Sequence, residues 1–253
     1  MWDLILISAA AGVLGTGLGA LLGTTVFQRS EKVLGALLAF AGGTMVGLVC
    51  FELVHEAAEA SSVWFAALAL FTGMTLVWLL NLVLGDCPAH EHHFCDGHCE
   101  DEDAHAPKGM LRAGWFMLFA ITLHNLPEGL ALGATGELTT QLALALMIAL
   151  HNLPDGMAIG ASLRMGGMKK SLCVLLPALT GLATLLGAAA GRLLGELSPL
   201  LTAFMLGLAG GTLLFVTFGE ILPRSRELAP GSRLYTPLVL LGVLAGLLLT
   251  AAH

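Results

Sequence analysis

Eight apolar runs with short joints between them account for nearly all of this chain: about 4 to 27, 33 to 57, 63 to 85, 110 to 135, 140 to 163, 171 to 192, 199 to 222 and 235 to 252. Each is close to the ~20 residues a helix needs to cross a bilayer. In lipid every backbone N–H and C=O must be satisfied within the segment, so runs of this length are read as helices. Composition agrees. Of 253 residues, 57% are hydrophobic and 11% are charged, with a mean hydropathy of +0.86; soluble domains carry roughly 25% charged residues. An ordinary soluble enzyme is excluded. No stretch is long enough for a large extramembrane domain, so any chemistry belongs to residues within or beside the bilayer.

The first run is expected to be a retained span. Trp2 and Asp3 follow Met1 with no basic region, and Leu4 to Phe27 is too long for the apolar core of a signal peptide. Lysines and arginines accumulate in cytoplasmic loops and test the orientation. With the N-terminus outside, Arg29, Lys32, Lys108, Arg112, Arg164, Lys169, Lys170, Arg224, Arg226 and Arg233 fall on the cytoplasmic side, and only Arg192 falls outside. The expectation is therefore an all-α polytopic membrane protein, a single domain over 1–253 with eight transmembrane helices and both termini extracytoplasmic.

Two internal repeats add to this. Leu-His-Asn-Leu-Pro-Glu-Gly-Leu-Ala-Leu-Gly-Ala at 123–134 recurs as Leu-His-Asn-Leu-Pro-Asp-Gly-Met-Ala-Ile-Gly-Ala at 150–161, identical at nine of twelve positions. Ala41-Gly42-Gly43-Thr44 matches Ala209-Gly210-Gly211-Thr212, and the same offset of 168 carries Glu52 onto Glu220. In the topology above the members of each pair cross in opposite directions, the pattern of inverted repeats in transporters that bind substrate near the midplane.

The first repeat carries the chemistry. His124 and Glu128 share a helix face four residues apart, with Asn125 beside them; His151, Asp155 and Asn152 repeat the set. A short joint at 136–139 makes the two helices antiparallel neighbours, so two imidazoles and two carboxylates converge at low dielectric. A divalent cation resolves the cost of burying such carboxylates, because they neutralise its charge while histidine nitrogens complete its shell. Pro127 and Pro154 cannot donate to the carbonyls of Leu123 and Leu150, so each helix is expected to bend there. Gly129 and Gly156 permit close helix approach.

These residues resemble the ZIP zinc and iron transporters, in a bacterial-type form. That family carries His-Asn-x-Pro-Glu/Asp-Gly in its fourth helix and a related Pro-Glu/Asp-Gly motif in its fifth, matching 124–129 and 151–156. Gly43, Met45, Phe51, Glu52 and Leu53 look like its helix-two pattern, although Phe51 and Glu52 are adjacent here. Phe218-Gly219-Glu220-Ile221-Leu222-Pro223 resembles the end of its helix seven. The resemblance covers essentially the whole chain. It implies eight helices in a 3+2+3 arrangement and uptake of divalent transition metals into the cytoplasm. It also implies a first metal site of His124, Glu128, His151 and Asp155 with Met45 nearby, and a second of Asn125, Glu128, Asn152 and Asp155. Thr184 stands where many relatives have an acidic ligand, so one principal site is expected, with the second weak or absent.

Glu52, His55, Glu56 and Glu59 share a face near the outer end of helix two by their spacing, and form a candidate entry that concentrates cations. Glu220 is the candidate exit ligand. The loop over 86–108, between helices three and four, is rich in histidine, cysteine and acid; His92, His93, Cys95, His98 and Cys99 are soft ligands for a cytoplasmic metal receiver. The other cysteines, Cys50 and Cys173, lie in apolar runs, so this is no disulfide framework.

The leading expectation is alternating-access transport of zinc, with iron, cadmium or manganese as alternatives; protons compete for the same ligands, so affinity falls in acid. The metal is substrate and no cofactor is expected. A metal effluxer and an intramembrane metalloenzyme are the alternative readings; no His-Glu-x-x-His or serine-nucleophile motif supports the enzyme. The expected partners are divalent metal ions and the lipid bilayer, with room for a homodimer and no nucleic acid, in a bacterial inner (plasma) membrane.

Overall fold

The computed structural model describes residues 2–84, 107–134, 138–194 and 198–251, and every regular element among them is helical. They form eight rods. Rod α1 joins Trp2–Ala9, a wide π turn at Ala10–Leu14 and Gly15–Arg29; α2 joins Glu31–Leu48, a π turn at Val49–Leu53 and Val54–Ala60. Then come α3 (Val63–Leu84), α4 (Pro107–Ala134) and α5 (Leu138–Met165). Rod α6 is Lys170–Thr180 and Leu182–Leu194 hinged at Gly181; α7 joins Pro199–Val216, a π turn at Thr217–Ile221 and Leu222–Leu228; α8 is Tyr235–Thr250. Six of these, α1, α2, α3, α5, α6 and α7, contain stretches long and apolar enough to cross a membrane. Rod α8 is apolar but shorter, and α4 carries His124, Asn125 and Glu128 in its middle. The chain is a polytopic membrane protein.

Helix starts follow simple chemistry. Ser30 and Ser198 each accept a hydrogen bond from the backbone N–H three residues on, at 3.3 Å, and cap α2 and α7. Two expectations need correction. Rod α7 does not stop at 222 but continues to Leu228, because Pro223 occupies the first turn after the π turn, where a missing N–H costs little. The helices also run unbroken through Pro127 and Pro154; the irregularities sit instead in α1, α2, α6 and α7. Pro107 and Lys108 belong to α4, while 86–106, with the expected ligands His92, His93, Cys95, His98 and Cys99, lie outside the described residues.

The offset of 168 extends well beyond four matching residues. Glu31–Leu48, Val49–Leu53 and Val54–Ala60 reappear, boundary for boundary, as Pro199–Val216, Thr217–Ile221 and Leu222–Leu228. Packing repeats in the same way. The main helix pairs are α1 with α5, α6 with α4, α2 with α8 and α7 with α3; exchanging α1 with α6, α2 with α7, α3 with α8 and α4 with α5 maps these pairs onto one another. Gly129 and Gly133 on α4 press against the backbone of Thr184 and Ala188, and Gly156 and Gly160 on α5 against Thr16 and Ala20, which are 168 residues earlier. A Cβ at Gly129 or Gly156 would overlap a carbonyl of the facing helix. Small residues thus bring the backbones together where lipid supplies no hydrophobic drive between helices.

Candidate metal centre

Rods α4 and α5 lie side by side and bring their duplicated motifs together. His124, Asn125, Asn152 and Asp155 are 0% exposed, Glu128 6% and His151 9%. One helical turn separates His124 from Glu128 and His151 from Asp155, so each helix offers an imidazole and a carboxylate on the same face. Across the pair, His151 Nε2 meets Glu128 Oε1 at 3.0 Å, and His124 Nε2 lies 3.5 Å from Asp155 Oδ2 and 3.9 Å from Glu128 Oε1. The two imidazole centroids are 6.3 Å apart.

One ligand atom each from His124, Glu128 and His151 can be chosen so that all three lie within 4.8 Å of one another. Ligands bound at ~2.1 Å around a tetrahedral zinc stand about 3.4 Å apart, so small side-chain adjustments would close this trio on an ion. Asp155 joins through His124 but stands outside the trio. Both nitrogens of His124 and both oxygens of Asp155 are buried without a hydrogen-bond partner. Buried polar atoms are almost always satisfied, so a cluster of orphans marks a place for something that accepts their lone pairs.

The asparagines hold the site to the rods behind it. Asn125 Nδ2 donates to the Thr180 carbonyl at 3.3 Å, just before the α6 hinge, and Asn152 Nδ2 donates to the Ala11 carbonyl at 3.4 Å, inside the α1 π turn. The carbonyls that anchor the two site asparagines therefore lie at or next to the irregularities of α6 and α1. Asn125 Oδ1 and Asn152 Oδ1 are buried and unpartnered. Spacing in the sequence carried no sign of these anchors; the facing glycines, Gly12 and Gly181, which touch across α1 and α6, were the available signal.

A cavity of about 510 Å³ reaches the cluster from one end, lined by Glu128 and His151 together with Met45, Glu52, Glu56, Ile148 and Leu206. His124 and Asp155 do not line it. Met45 is buried and its Sδ accepts the Thr217 hydroxyl at 3.6 Å. Thr184 is buried with its hydroxyl unpartnered. The expected entry face is only partly realised: Glu52 and Glu56 line the cavity, whereas His55 points away and pairs with Glu59 at 3.3 Å, their side chains 64% and 71% exposed. The π turn at Val49–Leu53 displaces Glu52 from the 3.6-residue spacing assumed for an unbroken helix. Glu220 is absent from this cavity; it sits in the π turn of α7, within the electrostatic reach of Arg224 and Arg112.

The sequence model of a family described as ZIP Zinc transporter matches residues 85–252. This chain belongs to the ZIP family. The zinc transporter ZupT of Streptococcus mutans is 31% identical, covering 99% of this chain and 96% of its own length. The zinc transporter GufA of Myxococcus xanthus is 37% identical over 84% of each chain. The zinc transporter ZIPB of Bordetella bronchiseptica is 31% identical over 87% of this chain and 72% of its own. The family is one of transporters, not enzymes, and the buried cluster of this ZIP chain has the chemistry of a metal-binding centre.

Proposed function

We propose that this chain carries divalent transition-metal ions, zinc first, into the cytoplasm by alternating access at a midplane site made by His124, Glu128, His151 and Asp155. The carrying observation is the buried, hydrogen-bond-deficient cluster reached by a cavity from one end. Metal would enter past Glu52 and Glu56, shed water against Glu128 and His151, and engage His124 and Asp155 before leaving past Glu220. Two imidazoles with two carboxylates suit zinc, and also accept cadmium or ferrous iron, with manganese less favoured. The relatives' names support zinc. The metal is substrate, and no cofactor is invoked.

Eight spans in a 3+2+3 arrangement, inverted repeats and termini outside are the architecture we propose; the 168-residue repeat and the crowding of Lys32, Arg164, Lys169, Arg224 and Arg233 on the proposed cytoplasmic side support it. The host is a bacterial plasma membrane. Asn125 and Asn152 contribute neutral oxygens beside the principal site, so a second metal there binds weakly. The loop with His92, His93, Cys95, His98 and Cys99 receives metal on the cytoplasmic side, and a chain lacking 88–106 should keep uptake within about twofold, an allowance of roughly 0.4 kcal/mol in barrier.

The test is zinc uptake into proteoliposomes by wild type beside His124→Ala and Asp155→Ala. Loss of uptake with retained folding supports the site. Uptake at the wild-type rate in both variants would overturn it.

A further inference from the structure

Arg224 stands where the two halves of the repeat exchange a carboxylate for a cation. At the offset of 168, Glu52, Glu56 and Glu59 on α2 correspond to Glu220, Arg224 and Glu227 on α7, in helical segments whose boundaries coincide. In the first half, Glu52 and Glu56 line the cavity that reaches Glu128 and His151. In the second, Arg224 Nη1 donates to Glu227 Oε2 at 2.7 Å, with its side chain 11% exposed, and Glu220, four residues earlier, feels the Arg224 charge and the opposing charge of Glu227.

The same exchange predicts what opens at that end. The cavity residues Leu48, Leu132, Ile148 and Leu206 have as counterparts Val216, Ile159, Ile121 and Leu38, all buried in one apolar cluster. Glu128 and His151, at the end of the open cavity, exchange with Asp155 and His124, which it does not reach. Opening the packed end by exchanging the conformations of the two halves would bring Glu220 and Arg224 to the places that Glu52 and Glu56 hold now.

We propose that Arg224 is the charge that weakens metal binding on the exit route: its guanidinium, four residues on from Glu220, lowers that carboxylate's hold on a divalent cation, where Glu56, four residues on from Glu52, raises it. This deepens the transport reading and rests on it. A passive carrier cannot be made one-way by such a charge, because at zero potential the ratio of maximal rate to half-saturating concentration is equal in the two directions. What Arg224 sets is the difference between the two half-saturating concentrations, higher from the cytoplasmic side than from outside.

Right-side-out and everted membrane vesicles carrying the full chain separate the two values with zinc alone as probe. Arg224→Gln should lower the cytoplasmic half-saturating concentration about five- to tenfold, the order expected for one partly screened unit charge, and leave the outer value within about twofold. Arg224→Lys, which keeps the charge and changes the geometry of the Glu227 pair, should restore the wild-type ratio. An unchanged ratio in Arg224→Gln, or an Arg224→Lys that matches it, overturns the proposal. Absence of zinc flux in folded wild type would instead sink the transport reading. Zinc binding to purified protein then decides on Arg224: a weak additional equivalent in Arg224→Gln that Glu220→Gln removes supports it, and no additional equivalent overturns it.

Discussion

The two ends of the bundle are related by the repeat and differ in whether a cavity reaches the centre. At one end Leu48, Leu132, Ile148 and Leu206 are buried but border a cavity; at the other, Val216, Ile159, Ile121 and Leu38 belong to one buried apolar cluster. Leucine answers leucine, isoleucine answers isoleucine, and the remaining two pairs exchange one aliphatic for another. These four pairs give no reason in side-chain type for one end to be open, whereas Thr202, Met147 and Glu56 answer to Leu34, Ala120 and Arg224. A difference of conformation between the halves is what the proposed alternating access around a fixed centre requires. The ends do differ in charge, Glu56 on the open side against Arg224 on the packed side.

The largest effect tests whether the halves meet at one centre. His124→Ala and His151→Ala should each cut zinc uptake by more than ~10-fold, since even outer-shell changes at metal sites cost 10- to 100-fold. If only His151→Ala, the cavity-lining member, loses activity, the centre is not shared. A second comparison uses single cysteines. Leu206→Cys should react with a membrane-impermeant maleimide through the open cavity, and Leu38→Cys should react more slowly by well over tenfold, an order-of-magnitude expectation from the cost of opening a packed core. Equal labelling would remove the asymmetry on which the comparison rests.

The glycine contacts should behave alike in the two halves. Gly129→Val and Gly156→Val each force a side chain into the facing backbone and should destabilise by at least about 1–3 kcal/mol, the cost of overpacking. Thermal unfolding in detergent measures both, and a large drop in one without the other would break the repeat. The smallest effect separates two neighbours on α2. Glu52→Gln should raise the outer half-saturating zinc concentration about threefold, from loss of one partly screened charge. His55→Ala, at an exposed pair with Glu59, should leave it unchanged and shift stability by no more than ~0.5 kcal/mol.

That the two motifs meet was legible in the sequence. His124, Glu128, His151 and Asp155 converge because the spacing of four and the short α4–α5 joint leave little alternative, and helices are the solution that lipid allows to such runs. The extent of the second repeat was only partly legible: Leu14, Thr16, Leu18, Gly19 and Ala20 recur as Leu182, Thr184, Leu186, Gly187 and Ala188, but along α2 and α7 most matched positions are different residues. The π turns at Val49–Leu53 and Thr217–Ile221 were also hidden. No residue type requires one, so the periodicity on α2 placed His55 on a face that the wide turn takes away from the cavity.

From sequence alone came a polytopic helical chain, a candidate ligand set and the family, since scarce charge in lipid leaves few places where histidine and carboxylate can be tolerated. Tertiary structure decided what the ligands face: which end is open, which acids line it, which carbonyls hold Asn125 and Asn152, and where Arg224 stands against Glu56. Those depend on backbone approach and helix phase, which one glycine or one wide turn resets without altering hydropathy.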